Sequence, residues 1–465
     1  MTELHVVILA AGKGTRMKSA VSKVVHPLAG RPLIEHVART AVGLDAVTTT
    51  IVVGHGADDV RAALAAFPQT EYVVQSPQLG TGHALLQAEP VLRGHTGTVL
   101  LLYGDVPLLS AATLQQLLER HRARRAVLTV LTASLPDPYG YGRIVRDAGG
   151  AITRIAEERD ASADERAIRE VNSGIYALEL DGLFDDLRNL ATDNAQGEYY
   201  LTDLVSSNHR RGRRVETLCL EDATELRGVN TRVDLAELGR VMFDRTRRAL
   251  MLGGVTLEDP ATTYIDADVT IGEDTIVSPG VTIAGRTTIG ARCRIHSGTR
   301  IVDSVLGDDV TVLDHTVIVE STVQRGASVG PLAHLRPGSD VGPDARVGNF
   351  VELKKTSLGA GSKANHLAYL GDAVIGERVN VGAGVITCNY DGTSKHRTTI
   401  EAGVFVGSDS QLVAPVTIGA GAYVAAGSTI THDVPAGALG VARSHQINKD
   451  GWAETRKARQ KGKAR

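Results

Sequence analysis

Branched apolar residues recur every sixth position in the second half of this chain: Ile265, Ile271, Val277, Ile283, Ile289, Ile295 and Ile301. A small or β-branched residue follows each by four: Val269, Thr275, Val281, Thr287, Cys293, Thr299 and Val305. Helices repeat near 3.6 residues and strands near 2, so a sustained period of six belongs to neither alone. It fits stacked hexapeptides, each one short strand plus a turn with its branched residue inward. Three hexads close a triangular coil, and the coils form a parallel β-helix. The ladder slips and resumes at Leu306-Gly307, Val341-Gly342, Val347-Gly348, Leu358-Gly359, Ile375-Gly376 and Val381-Gly382, then runs cleanly through Val406, Leu412, Ile418, Val424 and Ile430. The solenoid is predicted over roughly 255–432; at ~18 residues per coil that is about ten coils. Regular hexads fail at 324–340, 352–372 and 386–403, where loops are expected to leave and function to gather.

The first half has another rhythm. Short apolar runs alternate with helical patterns: Val6–Ala10 then 33–42, Thr50–Val53 then 58–67, Val99–Tyr103 then 111–122. That alternation predicts βαβ units around a mostly parallel sheet, with ligands beyond the carboxyl ends of the strands. Between the halves, residues 229–251 predict one amphipathic helical linker, with Val233, Leu235, Leu238, Val241, Met242 and Leu250 on its apolar side. Its charges, including Arg240, Arg245, Arg247 and Arg248, are expected on a solvated face. The domains are therefore 1–228, the linker 229–251, and a hexad domain with a basic tail over 252–465.

Composition narrows the picture. Aromatics are only 4% of the 465 residues, as expected where close coils leave room for Val, Ile, Ala, Thr and Gly. A net charge of −3 gives no reason to expect nucleic acid. Cys219, Cys293 and Cys388 lie far apart and make no metal-spaced cluster, which points to a reducing compartment and a cytoplasmic protein. The early apolar run Leu4–Ala11 is too short to span a membrane and lacks a basic segment before it, so no membrane insertion is expected.

Chemistry concentrates in a few places. The first strand runs into Leu9-Ala10-Ala11-Gly12-Lys13-Gly14-Thr15-Arg16. Its glycines let backbone N–H groups approach an anion, and Lys13 and Arg16 add charge. It is neither a P-loop nor the dinucleotide fingerprint, and a plain strand-to-helix turn would look the same. Tyr103-Gly104-Asp105 ends another strand; its carboxylate could hold Mg²⁺ against phosphates or simply start a turn. The irregular stretches of the second half hold Arg336, Lys354, His366, Tyr369, Asn389, Tyr390 and Lys395, a set able to bind a sugar phosphate. His366 is a candidate general base, although a lone His is more often structural. His296, His315, His334 and His366 share no phase, which argues against a metal cluster on the solenoid.

Several motifs together are distinctive: LAAGKGTRM, Lys23 in SKVVH, QLGTGHA, YGDVPL, GYGRI, NSGIY, GEYYLTD and GVNTR. This half resembles the sugar-nucleotide pyrophosphorylases. With AHLRPG, NFVELKK, NHLAYLGD, VNVGAG, TCNYDG, VGSDSQLVAPV and AAGS in the second half, the chain resembles the family of bifunctional N-acetylglucosamine-1-phosphate uridylyltransferases / glucosamine-1-phosphate N-acetyltransferases. The resemblance implies an α/β nucleotidyltransferase domain, Rossmann-like with a mostly parallel sheet, followed by an all-β left-handed parallel β-helix. It also implies a homotrimer with the acetyl site between subunits, small-molecule substrates, and a place in peptidoglycan and lipopolysaccharide synthesis and cell-wall biogenesis.

It further implies residue roles. Leu9, Ala10, Ala11, Gly12, Gln75, Gly80, Thr81, Tyr103 and Gly104 would hold UTP. Arg16 and Lys23 would act on its triphosphate. Gly142, Glu157 and Asn172 would hold the N-acetylated sugar, and Asp105 and Asn230 would ligate Mg²⁺. Arg336, Lys354, Tyr369, Asn380, Asn389 and Tyr390 would bind glucosamine-1-phosphate. Ala383, Ser408, Ala426 and Arg443 would contact acetyl-CoA, with His366 as base. Ser22 stands where the family usually has Pro, which would leave that loop less fixed. The tail from Arg443, basic through Lys449, Arg456, Lys457, Arg459, Lys461, Lys463 and Arg465, reads as a frayed, solvated end, or as a flap over CoA phosphates. A nucleotidyltransferase carrying a purely architectural solenoid and a non-enzymatic scaffold are the competing readings; intact Asp105, Lys23, Asn230 and His366 argue against the scaffold.

Overall fold

The computed structural model describes residues 3–463. The chain divides into two compact units, 1–244 and 245–465.

In the first unit the sheet order is Val215–Leu220, Leu128–Ser134, Glu170–Glu179, Thr98–Tyr103, Leu4–Ala10, Thr48–Val53, Thr70–Val74. Neighbours run parallel except around Glu170–Glu179, which is antiparallel to both its partners. A hairpin, Arg143–Arg146 with Ile152–Ala156, joins at that strand. Successive side chains of a strand face opposite ways. Val6 and Ile8 accordingly enter one core layer while Val7 and Leu9 enter the other. Helices Leu33–Val42, Ala57–Ala63 and Ala111–Arg124 follow their strands as the alternation predicts.

The helix Arg232–Leu252 spans the division between the units. Leu238 is buried with Met17, Leu33 and Val229 in the first unit, and Leu250 packs on the core of the second. Two linker residues depart from expectation. Arg247 is buried and donates to the carbonyl of Thr263 at 2.8 Å, because the first coil closes over it. Val233 lies on the exposed side of the helix.

The second unit is a three-sided parallel β-helix. One column of paired residues runs Leu257, Val277, Ile295, Val312, Val329, Val347, Ala364, Val381, Val406, Val424, Gly440, which counts ten coils. Burying each branched side chain contributes roughly 1.5–3 kcal/mol, so the inward column is the main source of stability. Most buried hydroxyls meet carbonyls of the next coil, as from Thr275 to Gly290 at 2.9 Å, whereas those of Thr316 and Thr398 are buried without a partner.

The hexad reading fails in three places. Val305 is exposed: that coil is one residue short, and Ser304 takes the inward position, its N–H reaching the Thr287 hydroxyl at 3.4 Å. No loop leaves at 324–340, where the coils stay in register. At 352–372 the corner between two faces instead straightens into nine-residue strands, Arg346–Lys354 and Lys363–Gly371, paired along their length. Only the third break carries an insertion, closed by an antiparallel bridge between Tyr390 and Lys395. The tail is solvated as expected but only partly irregular: 443–451 is exposed without regular structure, and Trp452–Lys463 forms a helix, exposed wherever its side chains are described. Among the described residues, no helix is long and apolar enough to cross a membrane.

Candidate functional site

Parallel strands Leu4–Ala10, Thr48–Val53 and Thr98–Tyr103 end together at a cleft of about 490 Å³. One wall is the loop from Leu9 to Lys13 with Lys23; the other holds Gln75, Gly80, Thr81, Tyr103 and Asp105. Gly14 has φ +59°, and a Cβ there would lie 2.6 Å from Lys23 Cβ. The loop therefore needs glycine both for its left-handed backbone and to let the lysine stem cross it. Gly80 has φ +109°, and a Cβ would meet the Tyr199 carbonyl oxygen at 2.7 Å. That close approach seats the 78–82 loop on the 197–203 segment.

Lys23 Nζ donates to the Asp105 carboxylate and, at 3.2 Å, to Asn230 Oδ1. Arg16 Nη2 donates to the same Asn230 oxygen at 2.9 Å. The backbone fixes this cluster: Gly104 N–H bonds to Leu9 O at 3.0 Å, and Val229 N–H to Asp105 O at 2.9 Å. Gln75 is buried, and its amide donates to Gly80 O at 2.9 Å.

A second group adjoins Tyr103. A Cβ on Gly142 would lie 3.5 Å from Glu157 Oε2 and 3.6 Å from Asn172 Cβ, so these three converge. Thr202 donates to Glu157 Oε1 at 3.0 Å, and burial pushes the Glu157 carboxyl above its usual range. Its neighbour Glu158 is the one tied to Arg143. Asn172 Oδ1 accepts from the Tyr176 hydroxyl and the Gly174 N–H, both at 3.0 Å. Desolvation, then the charges of Asp105 and Glu157, hold the Tyr103 phenol far above its usual range, leaving a neutral hydroxyl.

On the β-helix, Arg336 Nη1 donates to Glu352 Oε1 at 2.8 Å, and Glu352 pairs in register with Tyr369. A Cβ on Gly371 would fall 2.5 Å from the Tyr369 hydroxyl and 2.7 Å from Asn389 Nδ2, so both side chains arch over that glycine. Asn389 is held by Asp372. The Lys354 ammonium pushes Lys395 below the usual lysine range, which places two cations side by side. His366 is exposed and stands in register with Asn349, whose Oδ1 faces its Nδ1 at 2.9 Å. Tyr390 is exposed, its hydroxyl donating to Gly392 O at 2.6 Å. Asn380 is not brought to this group: it pairs with Lys363 and Phe405 on another face. Ala383, Ser408, Ala426 and Arg443 stack on successive coils. Asp409 N–H bonds to Ala383 O at 2.7 Å, and Gly427 N–H to Ser408 O at 2.8 Å. Cβ atoms on Gly407 and Gly427 would lie 2.4 Å from Ala426 N and 3.8 Å from Arg443 Cδ.

Comparison with known proteins agrees with both units. Residues 6–171 match the MobA-like NTP transferase domain, and 268–303 and 397–432 match the bacterial transferase hexapeptide (six repeats). The bifunctional protein GlmU of Pelobacter propionicus is 50% identical over 97% of this chain and 98% of its own. That of Trichlorobacter lovleyi is 52% identical, covering 96% and 97%, and that of Shouchella clausii 50%, covering 98% and 99%. This chain belongs to the bifunctional GlmU family. It is a bifunctional transferase, and its hexapeptide unit is a left-handed parallel β-helix.

Within a GlmU frame the Asp105 and Asn230 oxygens suit a hard cation, because both already converge on the Lys23 ammonium. Sequence reasoning passed over Gln78, whose amide reaches Ala11 O, and Glu198, which lines the cleft. Thr202, Asn349 and Glu352 were also missed. All five lie inside or beside quoted GlmU motifs, but only the folded chain gives them partners. Ser22 is buried with φ −53°, a value proline also adopts, so the loop keeps that backbone shape.

Proposed function

We propose that this chain makes UDP-N-acetylglucosamine in two transfers. At the β-helix, acetyl passes from acetyl-CoA to the amine of glucosamine-1-phosphate. In the α/β unit, UMP passes from UTP to N-acetylglucosamine-1-phosphate, and pyrophosphate leaves. What carries this reading is that each unit holds its own clustered cations at a cleft or face: Lys23 with Arg16 in one, Lys354 with Lys395 in the other.

For uridylyl transfer, a sugar-phosphate oxygen attacks the α-phosphorus while the bond to the β-phosphate oxygen breaks. That oxygen is already ionised near neutrality, so no general base is required, and the chain's task is alignment and charge neutralisation. Loop N–H groups from Ala10 to Gly12 take phosphate oxygens, and Lys23 and Arg16 take triphosphate charge. Gln75, Gly80, Thr81 and Tyr103 hold the nucleotide; Gly142, Glu157 and Asn172 hold the N-acetylated sugar. Asp105 and Asn230 would hold Mg²⁺, which when bound supplies positive charge against the phosphates. Lys23 then exchanges the Asp105 carboxylate for a phosphate oxygen.

For acetyl transfer, the amine, with a pKa of about 8 by analogy to an α-amino group, must lose a proton to attack the thioester. His366 Nε2 accepts that proton, a C–N bond forms as the C–S bond breaks, and the second proton that the nitrogen sheds goes to the departing sulfur, releasing CoA as the thiol. Lys354, Lys395 and Arg336 hold the sugar's phosphate, which relieves the repulsion between the two ammonium groups. Tyr369, Asn389 and Tyr390 take hydroxyls, while the Ala383–Arg443 column takes CoA. Placement of Asn380 on another face supports a homotrimer in which a neighbouring copy completes the site. The protein works in the cytoplasm, where these soluble reactants meet.

One coupled assay tests the scheme: thiol release from acetyl-CoA with glucosamine-1-phosphate, then pyrophosphate release on adding UTP. Asp105→Ala should abolish the second signal and spare the first. His366→Ala should cut the first at least ~100-fold and spare uridylyl transfer to supplied N-acetylglucosamine-1-phosphate. Equal loss of both activities in either variant would overturn the two-site scheme.

A further inference from the structure

We propose that Glu3, His5 and His95 form a second metal site, for zinc or a similar transition-metal ion, at the end of the sheet opposite the nucleotide cleft. Glu3 Oε2 lies 3.5 Å from His5 Nε2 and 3.6 Å from His95 Nδ1, and the ligand atoms all fall within 4.8 Å of one another. Donors bound to one tetrahedral zinc at about 2.0–2.1 Å lie roughly 3.3 Å apart, so the trio needs only small side-chain rotations to close on an ion. The two imidazoles meet edge to face, with centroids 4.8 Å apart and planes at 61°, so neither ring blocks the other's nitrogen.

The backbone holds these groups in place. Residues 3 and 5 share a side of the extended chain, where side chains alternate. Thr98 N–H bonds to Glu3 O at 2.9 Å, and Leu180 N–H to Gly97 O at 2.8 Å. Gly97 has φ +112°, and a Cβ there would sit 2.3 Å from Glu3 O. The turn bearing His95 is thus pressed against Glu3. His5 is fully buried, while Glu3 and His95 keep 45% and 35% of their side chains exposed, so an ion and one water can reach them.

His5 also has the outer partner that a metal-bound imidazole uses. Its Nδ1 lies 3.0 Å from the Thr48 hydroxyl. With the proton on Nδ1 donated to Thr48, Nε2 presents its lone pair to the ion. Nε2 also stands 3.2 Å from Thr96 O, so the metal-free protein can hold the other tautomer. Metal binding would shift the proton from Nε2 to Nδ1. Two imidazoles and a carboxylate favour zinc, cobalt, nickel or copper over Mg²⁺, which takes oxygen donors. Five residues of strand separate His5 from Ala10, roughly 17 Å. The site is therefore distinct from the one at Asp105 and Asn230. An ion there would clamp the first strand to the 93–97 turn and stabilise the fold by mass action.

The test uses the full-length chain, stripped with chelator and returned to a buffer with excess Mg²⁺. Co²⁺ is titrated while the visible absorption of four-coordinate cobalt is followed, and Zn²⁺ is then added as competitor. We expect one equivalent of cobalt, displaced by zinc and indifferent to Mg²⁺. Zn²⁺ should also raise the melting temperature. Glu3→Gln, at an exposed side chain, and His95→Ala, at a half-buried one, should each weaken cobalt binding at least tenfold and remove the zinc-induced shift. Melting without metal verifies that each variant is folded. Absence of a cobalt spectrum, or binding unchanged in both variants, would overturn the proposal.

Discussion

Asn349 Oδ1 lies 2.9 Å from His366 Nδ1, on the adjacent coil and in register with it. An amide oxygen accepts, so Nδ1 carries the proton and Nε2 is left as the basic nitrogen. Asn349 is therefore a positioning residue for His366. Asn349→Ala should lower the rate of acetyl transfer roughly tenfold or more, short of the full loss expected for a missing base, with little change in KM for acetyl-CoA. Asn349→Asp should keep the orientation and move the acidic limb of the pH–rate profile upward, because a carboxylate favours the imidazolium. An unchanged profile would separate Asn349 from His366.

Lys23 occupies the position between two oxygens that would otherwise meet a metal ion. Lys23→Met should free Asp105 and Asn230, and tighten Mn²⁺ binding in the absence of nucleotide by roughly tenfold, about 1.4 kcal/mol. Uridylyl transfer should fall at the same time, since the triphosphate loses a cation. Electron paramagnetic resonance of bound Mn²⁺ reads the affinity directly, and no gain would show that the lysine does not compete.

Ser22 is buried, its hydroxyl makes no hydrogen bond, and its φ of −53° is within proline's range. Ser22→Pro restricts the unfolded chain and removes the unpaired hydroxyl. The expected gain is about 0.5–1 kcal/mol, seen as a higher melting temperature of the first unit. A lower melting temperature would mean that the preceding peptide cannot accept proline.

Burial, then the charge of Arg122, pushes His121 down to about 4; its Nδ1 meets Thr129 Oγ1 at 2.9 Å. The unfolded chain takes up this proton near pH 6.5, whereas the folded protein resists until about 4. This stability is therefore present above 6.5 and is lost as pH falls from 6.5 towards 4. At pH 4.5 the loss from this group is about 2–3 kcal/mol. Urea unfolding of the first unit at pH 7 and 4.5 should show a smaller pH-induced loss in His121→Asn than in the natural chain. Equal losses would remove His121 as a cause.

Much of the architecture could be read from residue order. The six-residue recurrence from Ile265 to Ile301 requires a coil whose every third strand lies one layer up, and no other repeat keeps those side chains inward. Alternation of apolar runs and helical patterns before residue 228 likewise requires a layered α/β unit. Motifs such as YGD and LAAGKG mark strand ends, so the cleft at Asp105 and Gly12 was legible too. The sequence alone located neither the inward Ser304 nor the straightened strands at 346–371. Both depend on how a one-residue slip is absorbed across neighbouring coils, and one chain segment does not contain that information.

Partnerships across long separations were decided only by the fold. Lys23 with Asn230, Glu157 with Thr202, and Glu3 with His95 are joined by backbone registers between distant strands and turns. The sequence determined which chemistry is available and which repeat carries it, because period and residue type are local properties. Tertiary structure decided which donor meets which acceptor, because hydrogen bonds and charges act over a few ångströms of space whatever the distance along the chain.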